Sequence, residues 1–173
     1  MKDKIRLSGL TIGFGIYIVI SASFMLQIRN WLFDVLGDSV VIISFRAFFI
    51  LLSLAGLLYS LRINLRLLRV CAVIAIFIVS FIFSLRQPYF SEKTHILTYG
   101  LLGFLALKDL LGPKSRARLK SIVLALGLAA LVSASDELFQ SILPYRVCEF
   151  RDFLTNLISA GFGISLMLAL NKG

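Results

Sequence analysis

Charged side chains are scarce in this sequence. They make up 16% of its 173 residues, against about a quarter in ordinary soluble domains, and only nine are acidic. Cysteine occurs twice, at Cys71 and Cys148, with no motif spacing, which excludes a disulfide framework or a cysteine-built zinc site. A single histidine, His95, excludes a His/Cys metal cluster in the same way, and no Gly-x-Ser-x-Gly elbow marks a nucleophile. No cofactor or metal is expected. What is abundant is hydrocarbon: 59% of the residues are hydrophobic, more than a domain with a water-facing surface carries. The chain reads as an integral membrane protein.

Crossing about 30 Å of hydrocarbon takes about 20 mostly apolar residues. Six runs approach that length, at 7–26, 40–61, 70–85, 94–111, 121–143 and 153–170. The third is short, but Arg69 and Arg86 flank it and can extend their heads to the headgroups while their stems stay apolar. The fourth starts near Ser91, a candidate N-cap, and stops at Gly112-Pro113. The expected fold is an all-α, polytopic transmembrane bundle of six spans. Three lie within residues 1–88 and three within 89–173, with no soluble domain, low-complexity tract or internal repeat. Ser21-Ala22-Ser23 raises a cleaved signal peptide as an alternative, but the run before it exceeds the usual h-region of about 7–15 residues.

Basic residues sort by loop. If the N-terminal Lys2, Lys4 and Arg6 are cytoplasmic, so are Arg62, Arg66, Arg69, Lys108, Lys114, Arg116, Arg118, Lys120 and Lys172, which together make 12 of the 18. The same segments hold only two acids, Asp3 and Asp109. This is the positive-inside pattern. It predicts a membrane protein with both termini in the cytoplasm, and it accounts for the basicity without a nucleic-acid partner.

The other seven acids lie towards the outer side: Asp34, Asp38, Glu92, Asp136, Glu137, Glu149 and Asp152. Helical spacing puts Glu92, His95 and Tyr99 on one stripe, Asp136 and Gln140 on a second beside Glu137, and Asp152 and Asn156 on a third that continues to the small Ser159 and Gly163. Ionisable groups cost about 2.5–3.5 kcal/mol each at the membrane centre, so such stripes are expected to face one another or a wet cavity. Arg46, inside the second span, is a candidate partner for one of the acids, as are Lys93, Arg146 and Arg151. Trp31, Phe33, Tyr89, Phe90 and Tyr145 are expected as interface anchors.

Glu92-Lys93-x-His95 with Tyr99 and Gly103, then Asp136-Glu137-x-x-Gln140, Pro144-x-Arg146 and Asp152-x-x-x-Asn156 closely resemble the motif string of the VanZ-like membrane proteins. Glu92 replaces the usual Asp, and Ser159 stands where Gly is common. The resemblance covers roughly residues 91–163. It implies a small polytopic protein of the bacterial envelope, from a family whose founding members lower susceptibility to teicoplanin and related lipoglycopeptides. Relatives with fewer spans imply that the first two helices are additions.

The expected functional surface is a charged outer pocket lined by Glu92, Lys93, His95, Tyr99, Asp136, Glu137, Gln140, Arg146, Asp152 and Asn156. It would bind a lipid headgroup, a lipid-linked envelope intermediate or a lipoglycopeptide; the other partner expected is the lipid bilayer itself. Arg146, presented on a turn after Pro144, would grip a phosphate or carboxylate at two points. One alternative is a membrane enzyme acting on such a headgroup, with His95, Asp136 and Glu137 in acid and base roles. In another the polar cluster only holds helices together. A hard-cation site has no signature here, and a proton-coupled transporter is disfavoured because the charges gather at one face.

Overall fold

The computed structural model describes residues 7–111, 119–144 and 149–171. These form seven helices and no strand: α1 (Gly9–Ser21), α2 (Met25–Leu36), α3 (Asp38–Arg62), α4 (Leu67–Arg86), α5 (Phe90–Leu111), α6 (Leu119–Ile142) and α7 (Phe150–Leu170). Helices α3 to α7 are each long and apolar enough to cross a membrane, and α1 with α2 would make a sixth span if the bent pair counts as one. Leu51, Leu58 and Leu61 on α3, and Leu67 and Leu68 on α4, are more than half exposed. Such a perimeter is stable against lipid and not against water. The protein is an all-α, multi-pass membrane protein.

Helices α5, α6 and α7 form the centre, with α1 against α6 and α5 on one side and α4 against α7 on the other; α3 packs on α4 and α2. The centre holds together at glycine. A Cβ added to Gly163 would stand 2.6 Å from the Gly100 carbonyl carbon, and one added to Gly103 would stand 2.9 Å from the Ala160 Cα. The two backbones therefore touch, a packing mode that small residues allow in membranes. Leu102, Ala106, Leu107, Ala125 and Ala129 fill the space around the contact with no exposure.

The segment expected as one straight span at 7–26 is broken. Helix α1 is only 13 residues long, about 20 Å at about 1.5 Å per residue, and α2 leaves it at a 69° bend. At the break the backbone tightens to i→i−3 bonds, from the N–H groups of Ala22, Ser23 and Phe24. The hydroxyls of Ser21 and Ser23 donate to the Ile18 and Ile20 carbonyls, each at 2.7 Å. Serine hydroxyls that compete for helix carbonyls in this way favour a bend. Gly37, at φ +80°, then makes the left-handed step from α2 into α3 that a side chain would strain. Ser91, expected as an N-cap, lies inside α5, which begins at Phe90; Gly112 and Pro113 lie outside the described residues.

Two contacts put the described chain ends at the same end of the bundle. Asp109 Oδ2 accepts from the Ser8 amide at 2.8 Å, the Ser8 hydroxyl at 2.7 Å and the Thr11 hydroxyl at 2.6 Å. Ser8 also caps α1, so the carboxylate sits at the positive end of that helix. On the other side Arg69 donates to the Asn171 carbonyl.

Gly163→Ala is expected to lower the thermal midpoint of the purified protein by an amount corresponding to about 1–3 kcal/mol, because backbone stands where the methyl group must go. Gly161→Ala, with open space around it, is expected to leave the midpoint unchanged or raise it slightly, since alanine favours helix over glycine by up to about 1 kcal/mol. Equal midpoints for the two variants would disprove the close contact.

Candidate functional site

At the end of the bundle opposite Asp109, the three central helices bring their polar side chains together. Tyr99, fully buried on α5, donates its hydroxyl to Asp136 Oδ2 on α6 at 3.0 Å. Asn156, fully buried on α7, donates its amide to Ser133 Oγ on α6 at 3.0 Å. Its oxygen stands 2.9 Å from His95 Nδ1 on α5, and the His95 and Tyr99 rings lie 5.8 Å apart. Buried polar atoms without partners cost several kcal/mol in hydrocarbon, so a network of this kind sets which helix faces meet. Helix period explains its reach along α6: Ser133, Asp136, Glu137 and Gln140 share one face at i, i+3, i+4 and i+7, and all four are buried.

A second cluster joins the start of α5 to the start of α7. Glu92 is 2% exposed, and its Oε1 accepts from Arg151 Nη2 of α7 in an ion pair. The half-exposed Arg151 also stands 3.7 Å from a Glu149 oxygen and 5.6 Å from the centre of the Tyr89 ring. Among the described residues the second Glu92 oxygen is buried without a hydrogen-bond partner. Glu137 Oε2 accepts from the Glu149 amide at 3.2 Å, which ties the end of α6 to the start of α7. Asp152 is partly buried beside this cluster and close enough to Glu92 to act on its charge.

Between the network and the α1–α2 elbow lies a cavity of about 270 Å³. Its polar side comes from Thr94, His95 and Thr98 on α5 and from Asp136 and Gln140 on α6. Its apolar wall comes from Tyr17, Ile18, Met25, Leu26, Ile28 and Leu32, with Arg29 among the lining residues. Helix α2 is held over the start of α5 by aromatic edges: the Phe33 and Phe90 rings are 5.2 Å apart, and Phe45 of α3 meets Phe90 at 5.4 Å. The cavity thus joins a hydrogen-bonding surface to an apolar wall.

The residues expected to line one pocket therefore divide. His95, Asp136 and Gln140 line the cavity; Tyr99 and Asn156 support them from behind; Glu92 does not line it and pairs instead with Arg151 at the start of α7, with Glu137 and Asp152 nearby. Lys93 makes no ion pair among the described residues and does not line the cavity. Arg146 lies outside the described residues, as do Tyr145 and Cys148. Arg46, expected as a partner for the acids, is exposed on α3 with no ion pair among the described residues, because α3 packs on α4 and α2, away from the acidic end of α6. Phe33 and Phe90, expected as interface anchors, pack against each other. The elbow's contribution went unseen in the sequence because Arg29, Asn30 and Asp34 interrupt the hydropathy of 25–36. Its signal was Met25, Ile28, Arg29 and Leu32 at i, i+3, i+4 and i+7, the spacing of one helix face.

Removing Arg151 leaves the Glu92 carboxylate buried without its ion-pair partner. Arg151→Met is expected to cost about 1–3 kcal/mol of stability, and Glu92→Gln with Arg151→Met is expected to recover part of the loss, since breaking a buried pair costs more than replacing both members. Thermal unfolding of the single and double variants in one detergent checks this; a double variant less stable than Arg151→Met alone would refute it.

Residues 93–171 match the sequence model of the VanZ/LLP1 family. No curated protein and no solved structure matches the chain significantly. The match begins at Lys93, just after Glu92, and takes in α7 as far as Asn171, so it contains every member of the network formed by His95, Tyr99, Ser133, Asp136 and Asn156. Residues 93–171 are thus a VanZ-like region, similar to the VanZ/LLP1 family of proteins.

Proposed function

We propose that the protein binds an amphiphile at the extracytoplasmic side of the membrane, with the polar headgroup against His95, Asp136 and Gln140 and the hydrocarbon against the α1–α2 elbow. The observation that carries this reading is the composition of the cavity, whose two walls differ in chemistry. Ligand sites are commonly apolar clefts with a few fixed polar groups that set orientation. A lipid headgroup, a lipid-linked envelope intermediate and a lipoglycopeptide all have the required two-part character. The orientation rests on charge: Arg62, Arg66, Arg69, Lys108 and Lys120 lie at the end of the bundle opposite the cavity, where the positive-inside rule places the cytoplasm. By family resemblance the bound amphiphile is a teicoplanin-type lipoglycopeptide, or the envelope lipid with which such a drug competes.

The test is drug susceptibility in a sensitive host that expresses the wild type, Asp136→Ala or Ser21→Trp at equal membrane abundance. Ser21 is a lining residue of the elbow, and tryptophan there is expected to fill the cavity while leaving His95, Asp136 and Gln140 in place. Several-fold protection by the wild type against teicoplanin, absent for its deacylated form and lost in both variants, is the expected result. Protection that persists in both variants would refute the pocket, and protection equal for acylated and deacylated drug would refute the requirement for an amphiphile.

A further inference from the structure

The polar network has a direction, and the direction reaches the only histidine. Tyr99 carries one O–H, and it is donated to Asp136 Oδ2. A phenol has no second proton, so any further hydrogen bond at that oxygen must be accepted. Beside this pair, Ser133 Oγ accepts from the Asn156 amide nitrogen at 3.0 Å. That bond sets the orientation of the Asn156 side chain. Its oxygen, which can only accept, is the atom turned towards His95 Nδ1 at 2.9 Å. A hydrogen bond at that distance requires the proton to be on Nδ1.

We infer that Asn156, held in turn by Ser133, is a positioning residue that locks His95 in the tautomer protonated at Nδ1. The neutral ring then carries its lone pair at Nε2, and the remaining hydrogen bond it makes is an accepted one, whatever supplies the donor. This goes beyond the amphiphile reading: it concerns which nitrogen of a cavity-lining ring accepts, and it holds with the cavity empty or filled. Which ring nitrogen carries the proton is commonly set by the hydrogen bond that the other makes. Here that bond comes from a fully buried amide on a neighbouring helix, which leaves the amide little freedom to turn over.

The chain's single histidine makes the proposal directly observable. The full-length protein, isotope-labelled in both histidine ring nitrogens and reconstituted in lipid nanodiscs without added ligand, gives two side-chain nitrogen resonances with no assignment problem. At a pH where the ring is neutral, the expected spectrum has a protonated Nδ1 and a bare Nε2. Asn156→Asp keeps an acceptor in place and is expected to keep that pattern. Asn156→Leu is expected to shift the proton to Nε2, the form that free histidine side chains favour, and Ser133→Ala is expected to give a mixture as the amide loses its anchor. A wild-type ring protonated at Nε2 alone, or on both nitrogens at neutral pH, would overturn the proposal, as would an unchanged Nδ1–H in a folded Asn156→Leu. Should that variant fail to fold, the wild-type spectrum still decides. Because no ligand or drug enters the measurement, failure of the amphiphile reading leaves this result untouched.

Discussion

The contact of backbone on backbone between α5 and α7 is the constraint on which the rest of this structure depends. Gly100 and Gly103 meet Ala160 and Gly163 without side chains between them, so the two helices have one relative height and little freedom of rotation. One to two turns along, that height sets His95 opposite Asn156 and Glu92 opposite Arg151. Helices are stiff over such lengths, and wider spacing at the glycines would open every polar pair beyond them. A packing interaction made of the smallest residues thus governs the geometry of the largest polar ones.

Hydrocarbon then sharpens the consequence. In water a broken hydrogen bond is replaced by one to solvent, whereas inside the bilayer each polar group depends on the protein for its partners. Tyr99, Ser133, Asp136 and Asn156 come from three helices and are each buried, so the network stands or falls as a set. The same logic holds at the other end, where Asp109 gathers three donors from the start of α1. That clamp anchors α1 at its far end and gives the elbow a fixed base from which to form the apolar wall of the cavity.

Much of this was legible along the chain. Hydropathy alone located α3 to α7 to within a few residues, because burying about 20 consecutive apolar residues is a property of the segment and requires no knowledge of its neighbours. The period of the helix told which polar residues share a face, so the stripes of α5, α6 and α7 were readable before any coordinates. Length and polarity failed together at residues 25–36: α2 is too short and too charged to register as a span, yet one face of it is apolar. The bend before it depends on Ser21 and Ser23 turning their hydroxyls back onto carbonyls, which no count of apolar residues detects.

The sequence by itself determined the fold class, the number of long apolar segments, the end of the bundle where the acids gather, and the family motifs that run from Lys93 onward. These follow from local quantities, namely hydrophobicity, helical period and charge. Tertiary structure alone decided that Glu92 pairs with Arg151 and not Arg46, that His95 and Asp136 line a cavity while Glu92 does not, and that the α1–α2 elbow lines that cavity. Each of these depends on the rotation and crossing of helices far apart in the chain. Rotation is set by which small residues touch, and residues 60 positions apart carry no local mark of the partner they will meet.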